Sequence, residues 1–191
     1  MRFKSSKVFL SNFLFAISLI IFPTKAYSQT AVLDVQTFMT KKKAFELFFP
    51  GADKVKREKN WVTPEQLKKV EEITLQEIDP SNRINFYVGR KGDSILGYAY
   101  LDHQIGKSFP ITFMTVLNID GTVRDVEILV YREPRGWEVR FPSFMDQFTG
   151  KNAESDFREI NTITGATLSV NALRKGVARA AALYKVIYLE K

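Results

Sequence analysis

Between residues 84 and 131 the chain reads as two successive β-hairpins, and this stretch restricts the fold more than any other. Residues 84–90 and 95–103 are apolar-rich runs separated by Lys91-Gly92-Asp93, and residues 112–119 and 123–131 are joined through Asp120-Gly121. An Asp-Gly pair between two such runs suits the positive φ of a tight hairpin turn. In the last run Val126, Ile128 and Val130 point one way and Asp125, Glu127 and Leu129 the other, with Leu129 interrupting a polar face. A sheet of this kind needs a covering layer, because an isolated hairpin buries too little apolar surface to be stable in water.

Helical patterns on either side supply that layer. Residues 35–48 read as a first helix, with Val35, Phe38, Met39, Leu47 and Phe48 apolar, ended by Pro50-Gly51. Thr63-Pro64-Glu65-Gln66 is a capping box with proline at the first helical position, opening a helix to about Ile73. Residues 142–150 form a helix-like stretch whose Phe144, Met145 and Phe148 suit a core. From Leu168 onward Val170, Leu173, Val177, Ala180, Ala181, Tyr184 and Ile187 recur at three- and four-residue steps, a stripe suited to packing on a sheet. The expected fold is α+β, an antiparallel sheet of hairpins covered by an N-terminal helix and a long C-terminal helix.

At the N-terminus Arg2, Lys4 and Lys7 precede an apolar run over residues 13–22, Pro23 breaks it, and Ala26-Tyr27-Ser28 offers small residues to a signal peptidase. The run is about half of the ~20 residues a membrane span needs. Residues 1–28 therefore read as a cleaved secretory signal, with an uncleaved signal anchor as the alternative, and the expected location is periplasmic or the outer face of the cytoplasmic membrane. Of the formal +7, four cations (Arg2, Lys4, Lys7 and Lys25) lie before Gln29 with no acid among them, which leaves an ordinary +3 on the remainder. Lys41-Lys42-Lys43 and the basic run from Lys54 to Lys59 read as solvated faces or as contacts for acidic lipid or a negatively charged partner. No nucleic-acid motif is present, and no nucleic acid is expected as a partner.

Cysteine is absent and His103 is the only histidine. That composition excludes a disulfide framework, lipoprotein acylation, a thiolate iron–sulfur cluster, Cys-x-x-Cys-His haem attachment and a multi-histidine metal site. His103 itself reads as a polar residue near the end of a strand. No paired carboxylates or nucleophile triad are visible either, so a substrate reaction of the chain's own is not indicated. Any redox role falls to an organic cofactor.

The segment Asn161-Thr162-Ile163-Thr164-Gly165-Ala166-Thr167 offers a hydroxyl on a turn that opens the terminal helix. There the first backbone N–H groups lack intrahelical partners and the helix dipole is positive, which favours a phosphodiester by about 0.3–1 kcal/mol. Arg174, further along the same helix, is a candidate cation for it. A simpler reading has Thr164 or Thr167 capping the helix. The string resembles the flavinylation motif of the exported FMN-binding domain family, which includes FMN-carrying subunits of the Rnf complex and of the sodium-translocating NADH:quinone reductase. In that family the last threonine of a Ser/Thr-Gly-Ala-Thr string carries FMN through a phosphoester bond. The resemblance implies that role for Thr167, with Thr164, Gly165 and Ala166 forming the turn; Asn161 stands where the motif has aspartate.

Further implications come with the resemblance. Rnf-type members have a Glu-Thr-Pro-Gly string near the flavin, and in Glu133-Pro134-Arg135-Gly136-Trp137 the glutamate and glycine match while proline is shifted by one place. This loop is then expected over the isoalloxazine ring, with Trp137 or Phe141 stacking on it and Arg135 stabilising negative charge near the reduced ring. A rigid turn with a core tryptophan is the other reading of the same residues. Residues 29–84 are expected as a helical lead-in to an FMN-binding domain over 85–191, the two forming one compact domain. The implied protein is an exported flavoprotein electron carrier rather than a stand-alone enzyme. Its covalent FMN would be installed by an FAD:protein FMN transferase, and a membrane or exported redox protein would serve as electron donor or acceptor. A reversible flavin-binding protein and a cofactor-free exported adaptor remain the alternatives.

Overall fold

The first two helices begin where side-chain oxygens can take up free backbone N–H groups. In the computed structural model, which describes residues 35–78 and 83–190, Thr40 caps helix α1 (Lys41–Phe48) by accepting from the Lys43 N–H. Thr63 caps α2 (Pro64–Thr74) in a complete capping box: its hydroxyl accepts from the Gln66 N–H at 3.2 Å, and Gln66 Oε1 accepts from the Thr63 N–H at 2.9 Å. The expected start of the first helix at residue 35 is thereby corrected. Gln36–Thr37 is instead a short strand, β1, and the helix waits for the threonine cap.

Six strands form one antiparallel sheet. β2 (Lys54–Trp61), β3 (Arg83–Lys91), β4 (Ser94–Ile105), β5 (Pro110–Leu117) and β6 (Val123–Tyr131) lie in the order β1-β6-β5-β4-β3-β2. Both expected hairpins are present, with Lys91 pairing Ser94 across Gly92-Asp93 and Asn118 accepting the Gly121 N–H in the second turn. The α+β architecture inferred above is the one observed. β2 was not anticipated, and the lead-in before residue 85 is therefore part strand, its basic residues set on both faces of a sheet edge.

Each face of the sheet has its own apolar layer. On one, Ala44, Phe48 and Phe49 from α1 and its end pack on Ala99, Met114, Val116 and Leu129. On the other, α2, the short helix α3 (Pro142–Met145) with Val139, Phe148 and Phe157 around it, and the long helix α4 (Thr167–Tyr184) cover Phe86, Phe113, Val126 and Ile128. All seven apolar positions read from the α4 stripe are buried. Gly176 lets α4 lie close on the sheet, since a Cβ there would meet the Phe113 ring and the Asp102 carboxylate. Arg179 completes this anchor by pairing with Asp102, which is buried in β4.

A β-bulge corrects the alternation read for β6. Thr112 pairs with Val130 but Phe113 pairs with Ile128, so Leu129 is an extra residue on the strand. Val130 therefore joins Leu129 on the α1 side, while Tyr131 turns to the α4 side. Leu129 interrupts the polar face because α1 packs upon it. All described residues belong to one compact unit. Among them no helix is long and apolar enough to cross a membrane, and the signal segment read over residues 1–28 lies outside them.

Candidate functional site

The turn before α4 is shaped by Gly165, at φ +83°, and by the Ala166 N–H donating to Ile163 O at 2.9 Å. A Cβ on Gly165 would meet nothing within 4 Å, so open space lies above the turn. Ala166 is the residue preceding the helix, and no side chain caps it. The capping role considered for Thr164 or Thr167 is therefore not what the structure shows. Thr167 is the first helical residue and is exposed, and Val170 is the first to bond back, its N–H donating to Ala166 O. The N–H groups of the first turn thus point outward without helical acceptors.

Beneath the turn the packing is closed. Ser169, buried on the first turn of α4, has its hydroxyl 2.8 Å from the Tyr131 hydroxyl, and Tyr131 donates to Arg135 O at 2.7 Å. Gly136 stands at φ +87°, where a Cβ would lie 2.9 Å from the Tyr131 hydroxyl, 3.1 Å from Ser169 Oγ and 3.3 Å from Ala166 Cα. The loop after β6 and the threonine turn are therefore locked against each other. Burial, with the Glu133 and Glu138 charges adding to it and the Ser169 hydrogen bond opposing it, raises the Tyr131 pKa and keeps this phenol neutral.

These two segments line one cleft of about 370 Å³, bounded by Lys107, Glu133, Pro134, Arg135 and the residues from Gly165 to Ser169. That size falls within the usual range of small-molecule sites, about 300–1,000 Å³. The structure thus brings Thr167, Gly165, Ala166, Glu133 and Arg135 together, with Gly136 packed behind them. Glu133 is buried, and its Oε1 accepts the N–H groups of Ser108 at 2.6 Å and Phe109 at 2.9 Å. Its carboxylate organises the turn between β4 and β5, and that turn carries Lys107 to the rim. Lys107 was not singled out from the sequence, because only the Glu133 clamp reveals where its turn lies.

Trp137 and Phe141 are not core residues. They are 40% and 45% exposed and meet edge to face, with ring centroids 5.3 Å apart. Trp137 follows Gly136 and stands outside the cleft lining. Arg174, considered above as a cation for the phosphate, binds Ile160 O and Arg158 O instead, holding the lead-in to the turn. Asn161 is exposed, and its N–H donates to Gln147 Oε1 at 2.8 Å. His103 is exposed near the end of β4, with Nδ1 2.9 Å from Thr112 Oγ1.

Free first-turn N–H groups, an exposed hydroxyl and the cations Lys107 and Arg135 make a donor set that fits a phosphodiester. The open space above Gly165 leaves room for the group attached to it. The fold and cleft thus define a class: an α+β domain that presents an exposed threonine at an uncapped helix start beside two cations. The family described as FMN-binding domain matches residues 106–182. The match takes in Lys107, the loop after β6 and the threonine turn.

Two relatives extend the comparison, each one component of a multi-subunit complex. The relative from the proton-translocating ferredoxin:NAD(+) oxidoreductase complex of Clostridium ljungdahlii is 27% identical over 122 residues, covering 56% of this chain and 66% of the relative. The relative from the Na(+)-translocating ferredoxin:NAD(+) oxidoreductase complex of Acetobacterium woodii is 24% identical over 119 residues, covering 56% of this chain and 58% of the relative. The matched regions span less than two thirds of either relative's length.

Proposed function

We propose that this chain is an exported electron carrier whose FMN is attached through a phosphoester to Thr167. The observation that carries the reading is the uncapped start of α4: an exposed threonine hydroxyl, free backbone donors and two cations on one cleft. The relatives' place as subunits of ion-translocating oxidoreductase complexes supports a redox role and a membrane redox complex as partner.

Attachment would need an FAD:protein FMN transferase. The Thr167 Oγ–phosphorus bond forms, the phosphoanhydride bond of FAD breaks, AMP leaves, and the hydroxyl proton passes to the transferase or to solvent. Bound FMN would supply one- and two-electron transfer. The chain's own contribution is to hold the phosphate with the first-turn N–H groups and to balance its charge through Lys107 and Arg135. The loop at Glu133, Arg135, Gly136 and Trp137 sets the surroundings of the ring. A covalent link also suits an exported protein, since a reversibly held cofactor is lost by dilution. Asn161, in place of the motif aspartate, favours reversible flavin binding as the second reading, and a cofactor-free adaptor is the third.

Intact mass of the chain exported from cells that also express a flavin transferase tests this. The expected result is an increase equal to FMN minus water, mapped to residues 163–173 and absent in Thr167→Ala. An unmodified chain that still binds free FMN would support the second reading, and one that binds none would support the third. Flavin still covalently bound in Thr167→Ala would place the link elsewhere.

A further inference from the structure

The α1 side of the sheet is only half covered. α1 packs over Ala99, Met114 and Leu129, and Lys41 at its start reaches across the Tyr87 ring, 5.1 Å from the centroid. Beyond Tyr87 the same face continues, among the described residues, with exposed side chains toward the end of the sheet where β2 and β4 stop and β3 and β5 begin. Strand alternation and the pairings Arg57↔Tyr87 and Trp61↔Arg83 put Arg57, Lys59, Trp61 and Arg83 on it. Ile105 belongs to the same row of β4 as Ala99 and Leu101, and Arg132 reaches the face by bonding Thr112 Oγ1 at 2.9 Å.

The composition of this surface is selective. Trp61 is 67% exposed and Ile105 61%, and among the described residues Arg57, Lys59 and Arg83 form no ion pair. The acids on the other rows of these strands point away: Glu58 reaches Arg90 and Tyr188, and Asp102 reaches Arg179. On the same face Asp125 stands toward the start of β6, and Glu127, paired with Met114, lies four strands away from Lys59 across the sheet, with the Arg140 charge facing it. What remains is a surface of cations around an exposed tryptophan and isoleucine, with no carboxylate on this face of β2, β3, β4 or β5 among the described residues.

We propose that this face docks on an anionic phospholipid surface. Cations attract the acidic headgroups, and tryptophan is favoured at headgroup level, where its ring is half buried and its N–H stays wet. The face also borders the cleft: Ile105 leads directly into the turn bearing Gly106 and Lys107. A domain seated in this way holds the cleft beside the membrane, within reach of a membrane-embedded redox centre. The inference does not depend on flavin attachment, so the two can fail separately.

The test uses the full chain carrying Trp137→Phe, which leaves Trp61 as its only tryptophan. Vesicles of phosphatidylcholine alone and of phosphatidylcholine with phosphatidylglycerol are added, and tryptophan emission and acrylamide quenching are followed. The expected result is a blue shift and protection of Trp61 on the anionic vesicles only, reversed by salt. Arg57→Glu, Lys59→Glu and Arg83→Glu each weaken binding at least fivefold, the effect of removing about one surface cation. Binding that leaves Trp61 wet, or that is equal on neutral vesicles, would show the chain held by its N-terminal segment and overturns the proposal. No binding overturns it too, and the face would then fall to an acidic protein partner.

Discussion

The Tyr131 hydroxyl, 2.8 Å from Ser169 Oγ, joins the end of β6 to the first turn of α4. It holds the Arg135 carbonyl at the same time, so one phenol fixes both walls of the cleft. The contact exists because the bulge at Leu129 turns Tyr131 from the α1 side of the sheet to the α4 side. Tyr131→Phe keeps the ring but leaves the Arg135 carbonyl and the Ser169 hydroxyl without their partner. A loss of about 1–3 kcal/mol is expected, the usual cost of stranding buried polar groups. Urea denaturation checks it, and an unchanged midpoint would mean that water replaces the phenol.

The Asp102–Arg179 pair anchors α4 on β4 and gives a sharper comparison. Arg179→Met strands a buried carboxylate that retains only the His103 N–H and the Gln104 amide. The expected loss is about 3 kcal/mol, toward the low end for broken buried pairs because Arg179 is partly exposed. Adding Asp102→Asn removes the stranded charge, and the double variant should lose less than the single one. A double-mutant cycle in denaturant measures this, and simple additivity of the two changes would show that the pair is uncoupled.

Alkaline pH should unfold the protein through its tyrosines. Burial, with Asp102 adding to it, pushes Tyr100 up to about 12, and burial also raises Tyr98, Tyr131, Tyr184 and Tyr188 above the usual 10. Each raised acid is neutral in the fold, so its contribution to stability is complete below pH 10 and is lost as pH rises toward 12. Tyrosinate absorbance and loss of circular dichroism should therefore rise together. Tyrosinate forming near pH 10 in a chain that stays folded would contradict the burial of this cluster.

How much of this was legible in the residues depends on what each segment packs against. The hairpins from residue 84 to 131, the Thr63 capping box and the α4 stripe announce themselves because local chemistry and burial agree there. β2 does not, since Lys54–Trp61 is an edge strand whose outer rows are basic and solvated, without the β-branched alternation of a buried strand. The Leu129 bulge also escapes, because one extra residue in a strand leaves no compositional mark. Thr167 and its turn were readable from a short motif. Lys107 and the carbonyl-bound Arg174 were not, since only tertiary contacts decide which cation reaches the cleft.

Two glycines with nearly equal φ separate backbone strain from close packing. Gly165 and Gly136 stand at +83° and +87°, so a Cβ pays the left-handed penalty at both, of about 1 kcal/mol. At Gly165 nothing lies within 4 Å, and Gly165→Ala should cost little beyond that. At Gly136 the added methyl would press on the Tyr131 hydroxyl, Ser169 Oγ and the Ala166 backbone, all within 3.3 Å. Overpacking of this kind adds about 1–3 kcal/mol, so Gly136→Ala should lose roughly 3 kcal/mol. Part of that loss should appear as a loosened turn, seen as faster amide exchange at Ala166 and Val170, whose N–H groups bond Ile163 O and Ala166 O. Equal losses for the two variants would mean that the loop after β6 is free to move off the threonine turn, and the cleft would then have only one fixed wall.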